Sequence, residues 1–113
     1  MKHKNGIYAA IALFLILALN ILTVAQVRIR FAPGKSAATV TGRMAARGRV
    51  CYFAAANRGQ ALTASLTSNS GRVHIFESGS TTYSYDVETS GDQSVCVDNI
   101  GKASTYTLTV SIK

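Results

Sequence analysis

The chain has 113 residues, 48% of them hydrophobic and 15% charged, with 12 Lys+Arg against 5 Asp+Glu for a net charge of +7. That length holds one domain, the hydrophobic fraction is too high for disorder, and one Pro with nine Gly excludes a collagenous or Pro-rich chain. Two cysteines cannot build a metal cluster or a dense disulfide scaffold.

The N-terminus opens with Lys2, His3 and Lys4, and residues 7–19 then carry no charge and no polar side chain except Tyr8. A basic start before an apolar centre reads as an export signal. A cut after Ala25 would follow Thr23 and Val24, small enough at the positions a signal peptidase reads. Residues 7–25 are also long enough to stay as an uncleaved membrane anchor. In both cases residues 26–113 are exported, to the periplasm or beyond, and keep a net charge of +5. Such a small domain buries a modest share of its surface. Cys51 and Cys96, both in the exported part, are therefore expected to pair, closing a loop worth ~4 kcal/mol. The alternative is two buried thiols.

Residues 26–38 read as a linker, because Pro33-Gly34 breaks any element and Lys35-Ser36 is polar. From residue 39 onward the pattern is of strands. Thr39 to Gly42 is a candidate first strand, and Met44 to Arg47 is too short between Gly42 and Gly48 for more than one helical turn. Val50-Cys51-Tyr52-Phe53 is apolar on both faces, as in a central strand. Further along, Leu62, Ala64 and Leu66 alternate with polar residues, as do Val73 and Ile75, then Tyr83, Tyr85 and Val87. Residues 94–97 continue the pattern. The clearest strand covers 104–112, with Tyr106, Leu108, Val110 and Ile112 on one face and Thr or Ser on the other. Turn signals recur every ten or so residues, as at Asn57-Arg58-Gly59, Ser68-Asn69-Ser70-Gly71, Ser78-Gly79, Ser90-Gly91 and Asp98-Asn99. The fold class expected is all-β: an antiparallel, jelly-roll-like β-sandwich over residues 39–113, preceded by the apolar signal or anchor helix.

The stretch from Val50 through Asn57-Arg58-Gly59-Gln60-Ala61-Leu62 to Leu66 resembles the bacterial pre-peptidase C-terminal-like β-sandwiches. So does Ser90-Gly91-Asp92 followed by Val95, Val97 and Tyr106-Thr107-Leu108-Thr109-Val110. The likeness covers about residues 40–113. It implies a β-sandwich and, for a stand-alone exported domain, a layout similar to the small periplasmic inhibitors of lysozyme. In the inhibitors of invertebrate-type lysozyme a Ser-Gly-x-Tyr loop enters the enzyme's cleft. The matching positions here are Ser90, Gly91, Asp92 and Gln93, with Gln93 where the motif has Tyr. These four residues are the expected contact with a protein partner.

Charge is sorted along the chain. Residues 26–72 hold eight basic side chains and no acid, whereas residues 73–113 hold Glu77, Asp86, Glu88, Asp92 and Asp98 against Lys102 and Lys113. Arg43, Arg47, Arg49 and Arg58, if gathered at one end, would form a patch for an anionic envelope polymer. A cationic lysozyme would meet net repulsion from a +5 domain, so a docking surface would have to be locally acidic. Export argues against nucleic acid as a partner. Asp86, Glu88, Asp92 and Asp98 lack the dense single-loop spacing of a calcium site.

Nothing points to catalysis. His74 is the sole histidine after the leader, and the G-x-S-x-G elbow and Gly-rich phosphate loop are absent. Asp86 and Glu88 share a strand face as a carboxylate pair would, a spacing common by chance. Tyr83 and Tyr85 share a face and could form a contact strip. The sequence thus predicts a non-enzymatic binding module of the envelope, with no cofactor and no metal.

Overall fold

The computed structural model describes residues 24–113, and the leader expected over residues 1–25 lies outside them except for Val24 and Ala25. Eight strands follow in order: β1 Ala25–Arg28, β2 Ala37–Met44, β3 Arg49–Ala56, β4 Ala61–Ser68, β5 Val73–Ile75, β6 Thr82–Asp86, β7 Gly91–Asn99 and β8 Ser104–Ile112. They form two four-stranded sheets, ordered β1-β3-β7-β5 and β2-β8-β4-β6. From β2 to β8 successive strands alternate between the sheets, so every connection crosses from one layer to the other. That gives the sandwich a jelly-roll-like winding.

The alternation seen in the sequence makes the core. From the second sheet Leu62, Ala64, Leu66, Leu108 and Val110 face inward, and from the first Tyr52, Ala54, Val73, Ile75, Val95 and Val97 meet them. Two tyrosines cross this layer, and their hydroxyls hydrogen-bond to each other (Tyr52 Oη to Tyr106 Oη, 2.5 Å). Burial, then the bond to Tyr52, pushes the Tyr106 hydroxyl up. Gly42 faces Tyr106 on the paired strand, where a Cβ would come 2.7 Å from that hydroxyl oxygen. The outward face of the second sheet is a field of Thr and Ser, including Thr39, Thr63, Ser65, Thr107 and Thr109, residue types that suit a pleated, solvated surface.

Two expectations change. The linker read over residues 26–38 holds all of β1 but Ala25 and the first two residues of β2, and β1 pairs in parallel with β3 from Ala25↔Val50 to Arg28↔Phe53. The Ile29 amide then donates to the Phe53 carbonyl (2.7 Å), and the Ile29 side chain is buried in the core with Phe31 packed against it. Val27, Ile29 and Phe31 alternate with Arg28 and Arg30, a period of two that the downstream Pro33-Gly34 break obscured. Only residues 29–36 connect β1 to β2, and β1 adds a parallel pair to an otherwise antiparallel sandwich. The second change concerns residues 90–93. Gly91, Asp92 and Gln93 open β7 and pair with Ala56, Ala55 and Ala54, so only Ser90 belongs to the loop. The helical turn weighed at Met44 to Arg47 is the end of β2 and a turn, with Gly48 N–H donating to Ala45 O (3.1 Å) and Arg47 at φ 61°.

Candidate functional site

Cys51 and Cys96 sit directly opposite each other on β3 and β7 and form the disulfide expected of them. By strand alternation both face away from the core, so the bridge pins the two central strands from the outer side. The residues that could meet a partner lie at the two ends of this pair.

At the β7 start, residues 83–93 surround an open groove of about 470 Å³. Tyr83 and Tyr85 form one wall, their rings tilted by 37° with centroids 5.2 Å apart. The Tyr85 hydroxyl donates to Gln93 Oε1 (2.8 Å), and Gln93 Nε2 donates to the carbonyls of Thr89 and Gly91 (3.1 Å each). Burial, then the neighbouring Tyr83 and Glu77, pushes the Tyr85 hydroxyl up, which keeps it a donor. Gln93 therefore spends its amide on holding the loop, whereas the Tyr of the resembling motif would project a ring. Ser90 Oγ accepts from the Arg58 amide (2.8 Å) and ties this loop to the β3–β4 turn. Gly91 has φ 132°, a conformation that L side chains rarely adopt. Asp92 takes both guanidinium nitrogens of Arg28 (2.9 and 2.5 Å), and those hydrogen bonds hold its carboxyl below the usual carboxylate range. Asp86 and Glu88 are exposed on the groove and enter no ion pair among the described residues, so the groove carries local negative charge.

The structure thus brings Ser90, Gly91, Asp92 and Gln93 together with Tyr83, Tyr85, Asp86 and Glu88. It does not bring the four arginines together. Arg47 and Arg49 flank the start of β3, whereas Arg58 follows its end, with about 25 Å of strand between. Arg43 projects from the outer face of the other sheet. Arg49 is committed to Asp98 through two hydrogen bonds (2.5 and 2.9 Å) and lies 4.1 Å over the Phe76 ring. Arg43, Arg47 and Arg49 lie about the β2–β3 turn with Arg49 paired to Asp98, and Arg58 lies beyond the far end of β3, so the expected single end holding all four is corrected to three at one end and one at the other.

His74 lies on β5 opposite Asp98, and no group of three or more His, Cys, Asp or Glu able to hold a metal occurs among the described residues. Arg28 was missed because it lay in the presumed linker. Asn99 was read only as a turn signal. It is buried, and its amide donates to the carbonyls of Met44, Ala45 and Lys102 (3.2, 3.1 and 2.8 Å). Its one sequence cue is its place on the inward phase of β7, two after Val97.

No protein-family model matches the sequence, and no curated protein does. Solved structures do. A periplasmic inhibitor of g-type lysozyme from Aeromonas hydrophila superposes with a TM-score of 0.70 at 20% identity, over 80% of this chain and 98% of that one. The Salmonella Typhimurium inhibitor of g-type lysozyme gives 0.64 at 22% identity, and a mutant of the Escherichia coli one gives 0.62 at 20%. Each of those two is covered over 100% of its length and 80% of this chain. The likeness establishes the shared sandwich fold. It is the fold that the resemblance to small lysozyme inhibitors implies, and the pre-peptidase C-terminal side stays a resemblance of sequence.

Proposed function

We propose that this chain is an exported, non-enzymatic binding module that inhibits a lysozyme, with the g-type enzymes as the first candidates. The observation that carries the reading is the groove at residues 83–93, where two tyrosines and unpaired carboxylates make an acidic, partly aromatic concavity on a domain that is cationic overall. Net repulsion from a basic enzyme is then a long-range cost that salt screens, while the contact itself is locally complementary. The solved neighbours support it, since they are periplasmic inhibitors of g-type lysozyme and the fold covers 98–100% of their length. Ser90, Gly91, Asp92 and Gln93 form one rim of this surface. Because Gln93 holds the loop, the tyrosines of β6 supply the rings.

A binding role for the Arg residues toward anionic polymer is the weaker reading, since Arg58 lies at the far end of β3 from the others and Arg49 is already paired with Asp98. Titration of the purified protein against g-, i- and c-type lysozymes tests the proposal. Loss of lytic activity near equimolar ratio for one class is the expected result, and undiminished lysis by all three would remove it.

A further inference from the structure

β7 is a nine-residue strand with β3 alongside it from Gly91 to Asp98 on one side, but its other side is paired only at one end. There β5 has three residues, and its register stops at Ile75↔Val97. Just beyond, the Phe76 amide donates to the Cys96 carbonyl (2.8 Å), and the Glu77 carboxylate accepts from the Cys96 amide (2.9 and 3.2 Å). Cys96 therefore points its backbone groups away from β3. Because backbone groups alternate sides along an antiparallel strand, Ser94 and Asp92 point theirs the same way, past the Glu77 plug and into the open side. Edges of this kind are commonly guarded by Lys, Pro or a bulge, and Asp92-Gln93-Ser94-Val95 offers neither Lys nor Pro.

We propose that this open edge of β7 receives an extended segment of the lysozyme, which adds as a short strand beside Asp92 and Ser94. The inference rests on the inhibitor reading and names the part of the surface that does the binding. Main-chain bonds to Asp92 and Ser94 supply affinity that needs no particular partner side chain, while the adjoining groove selects what flanks them. The carboxylates of Glu77, Asp86 and Glu88 frame the edge, and Tyr83 and Tyr85 lie beside it. A segment bearing Lys or Arg is the occupant that chemistry fits, the cation meeting carboxylate or a tyrosine face. This also accounts for how the site works with Gln93 in place of an aromatic: backbone pairing stands in for a ring that would enter a cleft.

The test combines a titration with amide hydrogen exchange on the complex of the exported protein with a g-type lysozyme. Exchange at Ser94 and Asp92 is expected to slow at least tenfold on binding. Ser94→Pro removes one of the two donors that face the open side and leaves the bonds to β3, a placement that strands tolerate at an edge. This variant is expected to keep the disulfide and the β-type circular dichroism and to need at least tenfold more protein for half-inhibition. A complex whose Ser94 and Asp92 exchange is unchanged overturns the edge proposal and leaves the inhibitor reading standing. Should Ser94→Pro not fold, exchange in the native complex decides alone. Failure of the native protein to bind or inhibit any lysozyme overturns both.

Discussion

Single side chains here act mostly by satisfying other groups. Asn99 is the clearest case, because its amide serves three carbonyls where the β2–β3 and β7–β8 turns meet, and Asn99 Oδ1 accepts from the Gly101 amide (3.0 Å). Asn99→Ala would leave buried polar groups unpartnered, at about 2–3 kcal/mol, visible as a drop in the urea midpoint with unchanged slope. Arg28 and Asp92 behave differently, since both are exposed. Asp92 has a folded-state pKa below its unfolded one, so its contribution is complete above the ordinary carboxylate value of about 3.9 and fades as pH falls through the lower folded value. Native protein and Arg28→Gln are therefore expected to differ in urea midpoint at neutral pH and to converge as the pH falls below the ordinary carboxylate range. Persistence of the gap in acid would show that Arg28 acts through packing alone. Both residues were visible in the sequence as charges, yet their pairing across 64 positions was not.

At the scale of elements, strand identity followed from side-chain period, and the period held wherever one face is buried. β8, with five inward residues alternating with Thr and Ser, is the strongest example. β1 was lost to a local signal: Pro33-Gly34 does break the chain, but four residues after Ile29, so polarity downstream was read back onto a genuine strand. β7 began earlier than expected because Ser90-Gly91 looks like a loop and Gly91 in fact starts the pairing with β3. The disulfide ties β3 to β7, strands separated by 45 positions. Replacing both cysteines, Cys51→Ala with Cys96→Ala, is expected to lower stability by ~4 kcal/mol. Thermal melting of the protein with and without the bridge measures this, and an unchanged Tm would show that adjacent pairing already supplies the constraint.

For the whole molecule, the winding that alternates sheets leaves no two consecutive strands as neighbours in a sheet and pairs some that are far apart in sequence, as in β2 with β8 and β3 with β7. The same winding decides the charge pattern. It parts Arg58 from Arg47 and Arg49 and leaves Asp86 and Glu88 beside Ser90. If that acidic groove steers the partner, Asp86→Lys with Glu88→Lys should slow association with a g-type lysozyme about tenfold at low salt. The deficit should shrink as salt approaches 0.5 M, where charges more than about 4–5 Å apart are screened. Equal rates at low salt would move the contact elsewhere on the domain.

Sequence alone determined the β class and the inward face of most strands, and it supplied the expectation of a Cys51–Cys96 bridge and the lysozyme-inhibitor resemblance. Each of these depends on local periodicity, on residue counts or on a contiguous motif. Only the tertiary structure decided which charges neutralise one another, that Gln93 braces its own loop, and that β5 is too short to cover β7. Those outcomes depend on which strands become neighbours and in what register, and both are set by the joint burial of two sheet faces.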